Sequence, residues 1–330
     1  MRTPLTGPPN VFLVLPFTTA TYTDPTLLLP IIYRALLATS PSTSTFTVLL
    51  SSPSSPQLFS ELRTSPVAHW RSFQTFLAKI YATLAAAQWK SGKVMMDVEV
   101  HFDGEGGRWD DRLQGETIKL QGYDHLPYSS IALPTSTSIL ATSLPAAPSL
   151  PPSLPSLTPG FPVVALGGTF DHLHAAHKLL LQLSLFLTTR VLIVGLMSDS
   201  LLASKSNAAL VEPITYRIAQ VTAFLRRCGA SDAQLDIQEI HDAFGPTAYE
   251  PDIQALVVSR ETRQGGEMVN RLRGEKQLPA LELFVIDVIS SNLVSETEAE
   301  TVDLTEEEDE RLKELKMGST AIRQWIREHE

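Results

Sequence analysis

The fold is decided by residues 163–178, whose sequence is VVALGGTFDHLHAAHK. The apolar run 163–166 predicts a buried strand, and the two glycines after it let the backbone come close to a ligand. We expect a helix to begin near His174, so that its free amides and its dipole form an anion site. His174 and His177 are three positions apart, which places both rings on one face of the first turn. The stretch therefore predicts a phosphate-binding corner after the strand.

The two histidines suit a phosphate chain because imidazoles can donate hydrogen bonds to oxygens whose charge grows during phosphoryl or nucleotidyl transfer. Two alternatives stay open, a zinc pair at this spacing and rings that only cap the helix. The glycine pair alone is weak evidence, because it does not complete a G-x-G-x-x-G pattern. Phosphate chemistry is the interpretation that we prefer.

The region around this corner alternates strand-like and helix-like segments. Such alternation predicts parallel strands with right-handed crossovers, and hence an α/β fold with a doubly wound sheet. Ligands of such sheets bind beyond the carboxyl ends of the strands. The predicted strands are 163–166, 190–196, 236–240, 256–258 and 281–288, and the predicted helices are 174–187, 213–227, 266–273 and 319–328.

A second, N-terminal α/β domain of unknown role is predicted over residues 8–126. Its expected strands are 11–15, 46–50 and 94–102, and its expected helices run from Pro25, capped by Asp24, to about Ala38 and from Trp70 to Trp89. In the last strand Val98, Val100 and Phe102 alternate with Asp97, Glu99 and His101, which predicts one polar face. His69, His101 and His125 are too far apart in sequence for metal-ligand spacing, so surface or structural roles are expected for them.

Residues 127–161 separate the two regions and are rich in Ser, Pro, Thr, Ala and Leu, with no charged residue. Prolines at this density exclude a helix or an interior strand and predict a linker. The second domain is then 162–330. Within it, the acidic stretch 296–310 is interpreted as a solvated loop that points away from any phosphate site.

Composition excludes several classes of protein. The 330 residues carry a net charge of −10, which argues against a broad basic surface for nucleic acid. The single cysteine, Cys228, cannot form an internal disulfide, so a secreted disulfide scaffold is excluded. The apolar runs are shorter than the roughly 20 residues of a membrane-spanning helix. We therefore expect no membrane partner and a cytoplasmic location.

Residues 168–177 resemble the T/HxGH signature of the nucleotidyltransferase superfamily. Ala176 stands where the usual pattern has Gly, as it does in eukaryotic-type phosphopantetheine adenylyltransferases. Further blocks resemble that group in the same order along the chain, and the order of domains without a fused kinase resembles the fungal arrangement. They are 199–205, 212–217, 257–273 and 317–323, the last with Gly318 in place of the usual Ser.

The resemblance implies a Rossmann-like domain that transfers AMP from ATP to 4′-phosphopantetheine, a step of coenzyme A biosynthesis. It implies that Lys205 bridges the nucleophile and the α-phosphate, that His177 stabilises that phosphate, and that His174 acts on the leaving side. Mg²⁺ is implied as an ion held mainly by the ATP phosphates and water. The substrate-binding residues that it implies are Gly168, Thr169 and Phe170 for the acceptor corner, Glu261 near the adenine, and Ser319, Thr320 and Arg323 for the β- and γ-phosphates.

Two other functions are kept as alternatives. One is another nucleotidyltransferase of the cytidylyltransferase type, although residues 316–320 do not match the R-T-E-G-I-S-T-S element of those enzymes. The other is a non-catalytic scaffold for coenzyme A synthesis enzymes, which are also the expected protein partners. A fused kinase is not expected, because the sequence has no G-x-x-x-x-G-K-[ST] loop.

Overall fold

The computed structural model of the protein describes residues 10–52, 58–102, 116–119, 131–132, 158–286 and 318–329. The chain forms two compact units, each built around its own parallel sheet. The α/β class and the doubly wound parallel sheet expected from the sequence are confirmed, as is a second α/β sheet in the N-terminal region.

The first unit has the strand order β3-β2-β1-β4-β5, with all neighbours parallel. Its strands are β1 Asn10–Pro16, β2 Thr45–Ser51, β3 Asp97–Phe102, β4 Glu116–Lys119 and β5 Ile131–Ala132. Its helices are α1 Thr19–Thr23, α2 Leu29–Leu37, α3 Leu58–Thr64 and α4 Pro66–Lys90. The edge strand β5 lies inside the predicted linker, where an edge position tolerates neighbouring prolines.

Two expectations for this unit were wrong. The helix expected from Pro25 to Ala38 is a 3₁₀ turn, Pro25–Leu27, capped by Asp24, and then α2. Pro30 lies in the first turn of α2, where its missing N–H is tolerated, but it cannot continue a helix from before it. The polar face expected for β3 is buried, because Glu99 and His101 pair with each other at 2.8 Å inside the protein. A structural role for His101 agrees with that contact.

The second unit has the strand order β10-β9-β6-β7-β8, again all parallel. Its strands are β6 Phe161–Gly168, β7 Thr188–Met197, β8 Leu235–Ile240, β9 Ala255–Ser259 and β10 Glu282–Ile286. Its helices are α5 Ala175–Leu187, α6 Asp199–Leu202, α7 Ile214–Arg227, α8 Arg263–Glu275 and α9 Ser319–His329. Both sheets share one order, in which the first strand of the unit is central.

Strand β6 is the place where the topology reverses. The chain runs from β6 outward through β7 and β8, and then returns to the other side of β6 for β9 and β10. Residues 163–166 of β6 are fully buried, and Val163 and Ala165 pack with apolar residues of β7, β9 and α8. In doubly wound sheets the crevice for a ligand lies at such a reversal, beyond the carboxyl ends of the strands. The corner singled out in the sequence therefore stands at the expected position for a ligand.

Most of the predicted linker 127–161, the acidic stretch 296–310 and His125 lie outside the described residues. The domain boundaries 8–126 and 162–330 stay a prediction. Within the described part of the chain, no helix is both long and apolar enough to cross a membrane.

Candidate active site

The turn after β6 is held in an unusual backbone conformation. Phe170 and His172 both have positive φ, 48° and 44°, a left-handed region that side chains other than glycine rarely adopt. The Phe170 side chain is fully buried, and its ring lies 5.2 Å from the ring of His177. A Cβ on Gly168 would come within 3.1 Å of the Phe170 ring. Glycine at position 168 thus leaves space for the Phe170 ring, and the Phe170 ring packs against the ring of His177.

Helix α5 places the two predicted histidines together. His174 is the N-cap residue and His177 lies in the first turn, and their rings stack with centroids 3.9 Å apart. The His174 side chain makes no capping hydrogen bond. The interpretation of the two rings as simple helix caps therefore lacks the hydrogen bond that it requires. Both Nδ1 atoms are buried and lack a hydrogen-bond partner within the protein.

Burial strongly affects the protonation of this pair. It lowers the pKa of His177 from 6.5 to about 3, and an electrostatic interaction with nearby His172 adds to the effect. Burial also lowers the pKa of His174 well below its usual value, assisted by His177, Lys178 and His172. Both rings are therefore neutral near pH 7, and each can offer one N–H to an oxygen of a ligand.

The start of helix α9 meets the start of α5. The Ser319 hydroxyl donates to the carbonyl of Asp171 at 2.7 Å and lies 3.4 Å from Nε2 of His174. Because its one proton goes to Asp171, the contact to His174 has the ring N–H as donor. Thr320 is exposed beside it. The free amides at the start of α9 and those at the start of α5 therefore lie at one end of the sheet.

Arg323 is held by the protein itself. Its side chain is buried and forms an ion pair with Asp171 through Nη1, while Nε donates to the carbonyl of Ser206 at 3.0 Å and Nη2 contacts the Thr320 hydroxyl at 3.3 Å. Its predicted contact with the ATP phosphates stays a prediction.

Lys205 and Glu261 complete the predicted set. Lys205 is exposed in the loop after α6, next to the Ser206 carbonyl that Arg323 binds. The same loop contacts α9 a second time through Asn207 and Gln324, at 3.4 Å. Glu261 is exposed in a 3₁₀ turn that follows β9, the strand beside β6. Lys205 therefore lies in a loop that helix α9 contacts. Glu261 lies instead after the end of the neighbouring strand β9.

Arg217 is a residue of this site to which the sequence assigned no role. It is fully buried, and its guanidinium donates to the carbonyls of Thr169 at 2.7 Å and Met197 at 2.9 Å. It also binds the Asp199 carboxylate at 2.6 Å. These contacts join the ends of β6 and β7 and the start of the segment that carries Lys205. The sequence signal was the Glu212-Pro-x-x-x-Arg217 block.

Glu212 fixes the turn from the other side. One of its carboxylate oxygens accepts the backbone N–H of His172 at 2.7 Å, and its own N–H donates to the Asp171 carboxylate at 2.9 Å. Burial raises the pKa of Glu212. The Nε2 of His172 donates to the carbonyl of Leu210 at 2.9 Å, so this third histidine is tied into the turn rather than aimed at the other two.

The zinc alternative gains no support from this geometry. Within the described ranges, no three His, Cys, Asp or Glu side chains are arranged to hold a metal ion. Both carboxylate oxygens of Asp171 already accept hydrogen bonds from the protein. The Mg²⁺ ion expected with the ATP phosphates stays a prediction.

Comparisons with known proteins agree with this geometry. The family model described as cytidylyltransferase-like matches residues 165–278, from the middle of β6 to just beyond α8. A phosphopantetheine adenylyltransferase of Thermococcus kodakarensis is 36% identical over 130 residues, which cover 39% of this chain and 77% of the archaeal protein. The chain belongs to the phosphopantetheine adenylyltransferase family. The family resemblance found in the sequence is thereby confirmed, and the matched region is a nucleotidyltransferase domain.

Two fungal relatives match a smaller share of their own length. The phosphopantetheine adenylyltransferase of Saccharomyces cerevisiae is 42% identical over 127 residues, or 38% of this chain and 41% of that protein. An uncharacterized protein of Schizosaccharomyces pombe is 36% identical over 162 residues, or 49% of this chain and 47% of that protein. The matches thus span less than half the length of these two relatives.

Proposed function

We propose that the chain transfers AMP from MgATP to 4′-phosphopantetheine, releasing pyrophosphate and forming dephospho-coenzyme A. The observation that carries this proposal is the meeting of two helix starts beyond β6, with the neutral pair His174 and His177 on one and Ser319 on the other. Family members named phosphopantetheine adenylyltransferase support the choice of substrates.

The proposed reaction needs alignment more than it needs a base. A phosphate oxygen of the acceptor attacks the α-phosphorus of ATP, and the bond from that phosphorus to the bridging oxygen of the β-phosphate breaks. The acceptor phosphate monoester is largely a dianion near pH 7, since its second pKa is about 6. The barrier is therefore the repulsion between two anions and the in-line geometry, which positioning and hydrogen-bond donors reduce.

The residues divide the work by their place in the corner. His177 donates an N–H to the α-phosphate as its charge grows, and the Nε2–H of His174 turns from Ser319 to the leaving side. Lys205, on its exposed loop, supplies the cation between acceptor and α-phosphate. The free amides at the start of α9, with the Ser319 and Thr320 hydroxyls, hold the β- and γ-phosphates.

The acceptor and the adenine have their own places in the proposal. Thr169 orients the acceptor phosphate, and the hydrogen bond from Arg217 to its carbonyl fixes that loop. Gly168 and Phe170 shape the turn. Glu261 lies near the adenine, beyond the end of β9. A cytoplasmic location is proposed too, and a single cysteine, Cys228, that is buried and forms no disulfide agrees with a reducing compartment.

The test is a pyrophosphate-release assay on the purified full chain. ATP is compared with CTP, and 4′-phosphopantetheine with phosphocholine, and we expect turnover only for ATP with 4′-phosphopantetheine. His177→Ala should lower kcat/KM by roughly 100-fold or more, the loss typical of a donor to the reacting phosphate. His241→Ala, at an exposed histidine of the same unit, is the matched control and should leave turnover unchanged. Preference for CTP and phosphocholine, or full activity of His177→Ala, would contradict the proposal.

A further inference from the structure

Asp171 accepts three hydrogen bonds from two separate parts of the second unit, the segment before α7 and helix α9. Its Oδ1 accepts the backbone N–H of Glu212 at 2.9 Å, and its main-chain carbonyl accepts the Ser319 hydroxyl at 2.7 Å. Its Oδ2 forms the ion pair with Arg323. The Asp171 side chain is 1% exposed and the Arg323 side chain 3%, so this pair is closed off from water.

The three nitrogens of the Arg323 guanidinium are all used inside the protein. Besides Asp171, they reach the Ser206 carbonyl, which adjoins Lys205, and the Thr320 hydroxyl at the start of α9. One side chain therefore joins the turn after β6, the Lys205 loop and the N-terminus of α9.

Such a pair resists a change of partner. A buried carboxylate–guanidinium pair is charge-assisted, and removing one member leaves the other charge buried without compensation. The guanidinium has two further N–H groups, but the Arg323 side chain is only 3% exposed, and a phosphate that replaced Asp171 would leave that carboxylate uncompensated. The first backbone amides of α9 need no such exchange, because the amides at a helix start have no intrahelical partner.

We propose that Asp171 is a positioning residue, and that Arg323 acts through it to hold the start of α9 and the Lys205 loop against the two histidines. In this arrangement Arg323 is a structural clamp for the triphosphate site and does not itself bind a phosphate. The inference rests on the proposed function for its ligand, MgATP, but the clamp itself is a property of the protein alone.

A double-mutant cycle separates the clamp from direct phosphate binding. The equilibrium dissociation constant of MgATP is measured for the full chain and for Asp171→Asn, Arg323→Gln and the double variant. Each single change should weaken MgATP binding roughly tenfold, and the double variant should be no weaker than the singles, as for residues that act as one unit. The KM for MgATP should rise by a similar factor while kcat falls less than roughly threefold, since the reacting groups remain. Multiplying effects would show that Arg323 binds the phosphate independently of Asp171, and would overturn the proposal.

An exposed ion pair of the same unit is the matched control. Arg226 and Asp232 lie 2.7 Å apart, with side chains 56% and 74% exposed. Arg226→Gln and Asp232→Asn remove the same kinds of charge and should leave MgATP affinity unchanged. A loss of affinity in these controls equal to that in the clamp variants would assign the effect to net charge and overturn the proposal.

Hydrogen exchange tests the clamp without any substrate. In Asp171→Asn the amides of 320–329 should exchange at least roughly tenfold faster than in the parent chain, whereas those of α7 should keep their rates. If the parent chain fails to bind MgATP and this local change is still seen, the proposed function fails and the clamp stands. Unchanged exchange in α9 overturns the clamp whatever the result with MgATP. If Asp171→Asn does not fold, Arg323→Lys replaces it, because lysine keeps the charge but cannot reach all three partners. Faster exchange of 320–329 in this variant supports the clamp, and unchanged exchange overturns it.

Discussion

At the start of α5, the surroundings of two imidazoles determine what they can do. The rings stack on each other, and the ring of His177 also makes a tilted contact with the buried Phe170. Burial keeps both rings neutral, with the pKa of His177 at about 3. A neutral ring binds phosphate less strongly than an imidazolium would at rest. It still donates one directed N–H to an oxygen that gains charge during the reaction, and this favours the transition state over the bound substrate.

The lowered pKa of His177 also predicts how stability depends on pH. Between about pH 6.5 and 3 the unfolded chain binds a proton at this ring that the folded protein does not, so the free energy of unfolding must fall as the pH is lowered through that range. From pH 7 to 4.5 the contribution is about 2.5 kcal/mol. Urea unfolding of the parent chain and of His177→Gln at the two pH values measures it, and carboxylates contribute to both chains alike. Equal pH dependence in the two chains would show that His177 is not buried as a neutral ring.

At the scale of elements, the strands of the second unit, three of the five strands of the first and the long helices of both could be predicted from sequence, because long apolar runs and helical periodicity depend on near neighbours. The short, threonine-rich α1 could not, since its stability comes from a capping box between Thr18 and Thr21 and from packing. The segment from Pro25 to Ala38 was divided by a proline within an otherwise helical pattern. Element ends and breaks depend on such local details more than on hydrophobic pattern.

Two glycines of the second unit give a prediction at this scale. Gly245 begins a 3₁₀ turn with φ +49°, and a Cβ there would lie 2.7 Å from Cγ2 of Ile240. Gly245→Ala should destabilise the unit by about 1–3 kcal/mol through strain and overlap. Gly265, in α8, has no atom within 4 Å of a Cβ, and Gly265→Ala should stabilise by about 0.5–1 kcal/mol. Urea unfolding gives both values, and changes of the same sign would contradict this account of the two positions.

At the scale of the whole molecule, the site is assembled from residues that are distant in sequence. Arg217 and Thr169 are 48 residues apart, and Arg323 and Asp171 are 152 apart. The corner could be predicted, since its glycines and histidines are adjacent in the chain. The partners of Asp171 and Arg217 could not, because a single sequence carries no signal for which distant charges pair. The motif order nevertheless marked Arg323 and the Glu212–Arg217 block as belonging to the same site.

Two sheets with separate buried cores predict two steps of unfolding. The apolar residues of β1–β3 form one core and those of β6, β7 and β9 another, so urea should reveal two transitions by circular dichroism. MgATP at about 100 times its dissociation constant should add about 2.7 kcal/mol to one of them, since a ligand stabilises only the unit that binds it. ADP-ribose at the same concentration serves as the control. An equal shift of both transitions would place the nucleotide on both units.

The contact between Ser319 and the turn at Asp171 has a consequence for biosynthesis. When a ribosome has synthesised β6 to β10, it has already added His174 and His177 to the chain. Ser319 and helix α9, which contact this region, are still untranslated. A messenger RNA truncated before codon 319 therefore yields a polypeptide that has the complete sheet of the second unit. It lacks the part of the proposed phosphate site that α9 supplies. Such a product would also lack Ile322, which is buried in the complete protein, so it would expose apolar surface as well as lose the serine hydroxyl.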